Sequence, residues 1–293
     1  MKKRYMLYMM MIPVLLYYLI FHYGPMYGVV IAFKNYSPGK GIFGSRWVGL
    51  RNFELFFKDV YFGRIFRNTV LINLYQLIFG FPAPIILALM LNELRSVRLK
   101  RTIQTVTYLP HFISIMVVCG MIIDFTSKRG VFNDILEILG FQRVSMLMKP
   151  EYFRSIYVIS GIWQEVGWGS IVYLSALSSV DIELYDAAKI DGAGRWQQML
   201  NVTLPSIMPT IVVLLILRIG RMMNLGFEKI ILLYNPGIYE TADVISTYAY
   251  RKGLQEFNYS YSTTIGLFNS LINFALVIFA NTISRKVQDT SLW

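Results

Sequence analysis

Apolar residues fall in long blocks along this chain, with polar stretches between them. A helix needs about 20 mostly apolar residues to cross a bilayer, and six blocks reach that standard. The first covers Tyr5 to Phe21 and continues through Gly24-Pro25 towards Phe33; the second covers Asn68 to Leu91, with Pro82 and Pro84 inside it. The others run from Thr105 to Phe125, Ser155 to Leu177, Ile207 to Asn224 and Thr264 to Ile283. Lys2-Lys3-Arg4 ahead of the first block imitates a signal peptide, but no small-residue cleavage site follows, so an uncleaved first span is expected. Without a tandem repeat, low-complexity tract or linker, residues 1–293 read as one all-α membrane domain.

Composition sharpens this picture. The 293 residues are 55% hydrophobic and 15% charged, too apolar for the surface of a soluble domain. The net charge of +11 would suit nucleic acid, but the basic residues flank the apolar blocks, where they meet lipid headgroups; no nucleic-acid partner is expected. Cys119 lies inside an apolar block and has no second cysteine to pair with. Basic loops set the orientation. Lys2, Lys3 and Arg4, then Arg95, Arg98, Lys100 and Arg101, then Arg285 and Lys286 fall on one side of six spans, placing both termini in the cytoplasm. The basic segment between the first two spans dissents.

Catalytic signatures are missing from the sequence. There is no G-x-x-x-x-G-K-[ST], and His22 and His111 adjoin no Ser or Cys nucleophile, so a passage is indicated rather than a reaction. The connecting segments predict an amphipathic interfacial helix around Arg51–Phe57, a short helix near Asn133–Leu139 and a helical run over Ala242–Leu254.

One polar stretch lies between the fourth and fifth blocks, DIELYDAAKIDGAGRWQQMLNVTLP, residues 181–205. Asp181 can cap a helix through Ile190, and Ala187 and Ala188 keep one face thin. Asp191-Gly192 permits a left-handed turn. A second run, Gly194–Asn201, presents Trp196, Met199 and Leu200 at helical spacing, and Pro205 suits the first turn of the next span. On physics alone an ordinary interfacial loop explains the stretch as well as a docking element does.

Asp186-Ala187-Ala188-Lys189-Ile190-Asp191-Gly192-Ala193, continued to Leu204-Pro205, resembles the cytoplasmic E-A-A-x-x-D-G-A…L-P motif of ABC-importer permeases. Asp186 stands where that family usually has Glu, and Met199 where it often has Phe. Segments such as PMYGVVIAFKNYSP, NELRSVRLKRTIQTVTYLPHF and GFEKIILLYNP resemble the carbohydrate-uptake branch, and within it the oligosaccharide permeases of the alginate and aldouronate type. The resemblance implies the type I importer fold: six transmembrane helices, with a coupling helix between the fourth and fifth. It implies a bacterial inner-membrane permease, in a heterodimer with a second homologous subunit, served by two ABC ATPases and an extracytoplasmic solute-binding protein. Asp186, Ala187, Ala188, Asp191, Gly192, Ala193, Leu204 and Pro205 would then meet the ATPases. ATP and Mg would be bound by those subunits, with no cofactor in this chain. Two rivals stay open: an importer of another solute, and a membrane-embedded enzyme or assembly factor.

Polar residues inside the spans are candidates for the passage. Gln164 and Trp168 are four apart on the fourth span, Arg218, Arg221 and Asn224 three apart on the fifth, and Asn269 and Asn273 four apart on the sixth. They either line an oligosaccharide pathway, where the arginines would suit an acidic, uronate-containing chain, or serve as interhelical ties. In the second reading Arg218 neutralises Glu165 or Asp124, and Arg221 faces Glu228 two turns on. His111 is expected to make a helix-end hydrogen bond.

Overall fold

A computed structural model describes residues 2–288, which are overwhelmingly helical. Among the described residues four helices are long and apolar enough to cross a membrane: Tyr8–Phe33, Phe62–Glu93, Arg195–Ile219 and Tyr259–Arg285. They lie within α1 (2–33), α3 (Phe62–Glu93), α9 (Arg195–Ile219) and α12 (Tyr259–Gln288). A fifth segment is the broken pair α4 (Val97–Phe112) and α5 (Ile115–Thr126), continued by α6 (Val131–Ile138). The sixth is α7 (Pro150–Ser178), 29 residues long. It carries Gln164 and Glu165 in its middle and packs against α3, α4 and α9.

Three of these helices pass through proline without breaking. Pro25, Pro82 and Pro205 each follow, by two residues, a π turn: Leu19–Tyr23, Gln76–Gly80 and Met199–Thr203. A helix-interior proline collides with the carbonyl four residues back, here Phe21, Ile78 and Asn201, which lie inside the widened turns. The π turn shifts those carbonyls aside, and the helix continues. This corrects the expected ends of the fifth span. It begins at Arg195 rather than Ile207, running straight through Pro205, and it stops at Ile219 rather than Asn224.

The third span differs more. The block Thr105–Phe125 is not one helix: the chain bends by 100° between Phe112 and Ile115. Pro110 tightens Leu109–Phe112 into a 3-10 turn, and Ser114 caps α5 by accepting from the Val117 amide. The basic stretch Arg98–Arg101, expected as a loop, is helical and belongs to α4.

The chain divides into two compact units. One comprises residues 2–63 and 245–271. In it Lys34–Asn35 pairs antiparallel with Arg46–Trp47 (β1 and β2), and Asn52 on α2 (Arg51–Phe57) donates to the carbonyls of Ala32 and Lys34. The expected amphipathic helix is present, held by Phe56, fully buried against Phe62 and Phe268 with ring centroids 5.0 and 5.3 Å away. The helical run expected over Ala242–Leu254 starts three residues later, as α11 (residues 245–255).

The second unit holds residues 64–244 and 272–288. It has two apolar clusters along α7. One gathers Ile72, Val118, Phe153, Tyr157, Ile230 and Ile238; the other gathers Ile85, Ala88, Tyr173, Leu177, Ile207 and Ile211. Residues of α10 (Phe227–Leu233) enter the first cluster. Between the two clusters α7 presents a polar stripe.

Candidate functional site

Two polar features stand out, one exposed between α7 and α9 and one buried between the apolar clusters. The exposed feature begins with α8 (Ile182–Ile190), whose N-cap Asp181 accepts from the Glu183 amide at 3.0 Å. Lys189 pairs with Asp186 at 2.9 Å. At the other end the Gly192 amide donates to the Lys189 carbonyl at 3.0 Å and the Ala193 amide to the Ala188 carbonyl at 2.9 Å. This double closure needs a left-handed residue, and Gly192 has φ +80°. The chain then re-enters helix at once. The Gly194 amide donates to Gln197 Oε1 and Gln198 Nε2 to the Ala193 carbonyl, both at 2.8 Å. Tyr185 ties α8 to α9 through a 3.0 Å hydroxyl contact with buried Thr203.

The result is a rigid corner. Asp186, Ala187, Asp191, Gly192 and Pro205 are exposed, and Ala188, Ala193 and Leu204 half-buried. Ile182, Ile190, Trp196 and Leu200 turn outwards, Ile190 with 87% of its surface open. Apolar side chains this exposed on a polar scaffold mark a surface built to be covered.

The buried feature is organised by α7. Ser160, Gln164, Gly167 and Ser170 are buried along one stripe. Gly167 lets α4 approach closely: a Cβ there would sit 2.1 Å from the Thr107 carbonyl oxygen. That approach brings His111 beside α7. Its Nδ1 lies 3.0 Å from Glu165 Oε2, and its ring stacks on Trp168 at 4.5 Å, nearly parallel. Arg218 Nη2 donates to Gln76 Oε1 at 2.6 Å. Lys229 on α10 is buried, its Nζ 3.4 Å from the Tyr157 carbonyl and 5.1 Å from the centre of that ring. Asn273 accepts from the Met223 amide at 2.9 Å and donates to Asn224 at 3.1 Å.

The placements depart from the sequence reading in three respects. Arg218 pairs with neither Glu165 nor Asp124: it holds Gln76, while Glu165 is taken by His111. His111 therefore meets a side chain on α7 rather than a helix end. Arg218 sits in the last turn of α9, but Arg221 and Asn224 lie beyond that helix, so the three do not share a helical face, nor do Arg221 and Glu228. Gln164 is buried on α7 and Trp168 is 43% exposed; Asn269 lies half-buried on α12.

Sequence reasoning missed Gln76, Tyr157 and Lys229. The signal for Lys229 was present, a lone cation in the apolar run Gly226–Leu233, where an ionisable residue is costly. It also missed Asp59, which accepts from the Tyr61 amide at 2.9 Å and from the hydroxyls of Tyr248 and Tyr261. Partial burial pushes the Asp59 carboxyl up, but these three hydrogen bonds outweigh it and hold the group below its ordinary range. Burial, followed by the bond to Asp59, pushes the Tyr248 phenol up.

Residues 80–289 match the family described as binding-protein-dependent transport system inner membrane component. The chain is 46% identical, over its whole length and 92% of the relative's, to Protein LplB of Bacillus subtilis (strain 168). It is 42% identical, over 98% of itself and 90% of the relative, to the polygalacturonan/rhamnogalacturonan transport system permease protein YteP of the same organism. Among solved structures it resembles a chain of a bacterial ABC transporter involved in the import of the acidic polysaccharide alginate. There the TM-score is 0.91 and the identity 46%, with 98% of this chain and 97% of that one covered. A bacterial alginate ABC transporter in complex with an alginate pentasaccharide-bound periplasmic protein gives a TM-score of 0.92. With α8 set between the fourth and fifth segments, the fold is the six-segment, all-α one of type I importer permeases. The chain belongs to the inner membrane components of binding-protein-dependent transport systems, the membrane-spanning permeases of ABC importers.

Proposed function

We propose that this permease passes an oligosaccharide from an extracytoplasmic binding protein across the inner membrane by alternating access, driven by two ATPase subunits that dock on α8. A second, homologous permease completes the passage, both termini face the cytoplasm, and the chain itself catalyses no reaction. The observation that carries this reading is the corner Asp181–Pro205. Its exposed residues offer a docking surface, while the double closure at Gly192 and the Tyr185–Thr203 contact fix it to α9. A force on α8 is therefore delivered to the spans on either side as a rigid displacement rather than absorbed in a loop. ATP and Mg would be held by the ATPases. Their closure favours one state of the passage only to the extent that they grip α8 differently in the two states.

The cargo assignment rests on the relatives, whose names refer to polygalacturonan, rhamnogalacturonan and alginate. Acidic chains also suit a passage whose ties include Arg218 and Lys229. The test is reconstitution of the complex with its binding protein. Purification through this subunit is expected to bring down an ATPase and a second permease, and oligosaccharide-loaded binding protein to stimulate ATP hydrolysis. A subunit that purifies alone and moves solute without nucleotide would overturn the reading.

A further inference from the structure

We infer that Lys229, with Gln76 and Arg218, forms a carboxylate-reading site within the passage; this rests on the acidic-oligosaccharide reading above. Lys229 is only 7% exposed and sits among Cys119, Tyr157 and Ile230. An ammonium can donate three hydrogen bonds, yet here the contacts are one carbonyl at 3.4 Å and the face of a tyrosine ring. Among the described residues no carboxylate lies within ion-pair distance of it. The acidic group on the facing helix, Glu165, is engaged by His111. Glu165 acts on Lys229 only through its charge at longer range. A buried cation with no counterion in contact is among the costliest groups a membrane protein can keep, and an apolar side chain would fill this place at lower cost.

The surroundings show what such a cation is kept for. Gly161 has no side chain, and a Cβ built there would lie 3.7 Å from Lys229 Nζ and 3.8 Å from Gln76 Nε2. The ammonium and the amide nitrogen therefore both border the place where α7 has no side chain at Gly161. The orientation of Gln76 is set from its other end, because its Oε1 accepts from Arg218 at 2.6 Å. Arg218 holds the acceptor end of the amide, so its nitrogen faces Tyr157, whose hydroxyl it bonds, and Lys229. The three side chains make a donor-rich array, which complements a carboxylate better than it does a neutral sugar hydroxyl. Arg218 is exposed while Lys229 is not, so the array runs from an open end to a closed one. A uronate entering along it supplies the contacting counterion that Lys229 lacks.

The experiment compares Lys229→Gln, Lys229→Met and Lys229→Arg with the parent in the reconstituted complex. Uptake is measured for a uronate tetrasaccharide and a neutral tetrasaccharide, with the thermal stability of each complex followed alongside. Lys229→Gln and Lys229→Met are expected to lose at least about tenfold in uronate uptake, as befits a lost charge-assisted hydrogen bond. Neutral uptake and thermal stability should stay as they were, and Lys229→Arg should keep most uronate uptake. Unchanged uronate uptake in Lys229→Gln overturns the inference, as does a loss that tracks thermal stability or affects both sugars equally. If the parent complex takes up only the neutral sugar, the acidic-cargo reading itself falls; if it takes up the uronate and Lys229→Gln does too, only the site falls.

Discussion

The corner at residues 181–205 and the polar stripe along α7 are built on opposite plans. The corner is held by bonds between near neighbours, the longest of them Tyr185 to Thr203, 18 residues apart. The stripe is held by partners far apart in the chain: His111 and Glu165 by 54 residues, Gln76 and Arg218 by 142. A locally closed element keeps its shape when the helices around it move, which a docking lever requires. A site assembled from four helices changes when any of them moves, which a passage with two states requires. The contrast gives each region its mechanical character from hydrogen-bond span alone.

Substitutions separate the two plans. The largest effect is expected from Gly192→Val. Nothing crowds a Cβ there, so the cost, about 2 kcal/mol, comes from forcing a β-branched residue into the left-handed region. Because the strain is confined to the corner, substrate-stimulated ATPase activity should vanish while the complex still assembles. Normal stimulation in this variant would refute the lever. Gly167→Ala acts on the stripe. Its methyl would meet the Thr107 backbone at 2.1 Å, so α4 must move off α7, at a cost of about 1–3 kcal/mol. A lowered thermal midpoint, with purification yield of the complex falling alongside, is the expected result; an unchanged midpoint would show that α4 and α7 can slide. The mildest change, Tyr185→Phe, removes one hydrogen bond between α8 and α9, worth about 1 kcal/mol. Assembly and basal ATP hydrolysis should be unaffected, with transport per ATP reduced several-fold. Full transport efficiency would mean that the turn alone carries the force.

The two regions also differed in how well the sequence could be read, for the same reason. Asp181, Ala187-Ala188 and Gly192 act within a turn or two of themselves, so cap, thin face and corner follow from spacing. Arg218 shows the other case. Helical spacing put it on one face with Arg221 and Asn224, but α9 ends at Ile219, and its partner proved to be Gln76, which no local pattern couples to it. The prolines misled in a third way. Pro205 signals a helix start, but the π turn ahead of it moves the obstructing carbonyl and lets α9 run on from Arg195.

By itself the sequence determined the class, because six apolar blocks of bilayer length leave the backbone no option in lipid but helix. It determined the position of the corner as well, since a left-handed turn between two short helices needs only glycine and a cap. The tertiary structure alone decided where the third segment bends, which helices come close at Gly167, and how Lys229 comes to lie beside Gln76 with no ion pair. Those outcomes depend on side chains up to 142 residues apart meeting in space. Periodicity along one helix carries no information about which residue of another will face it.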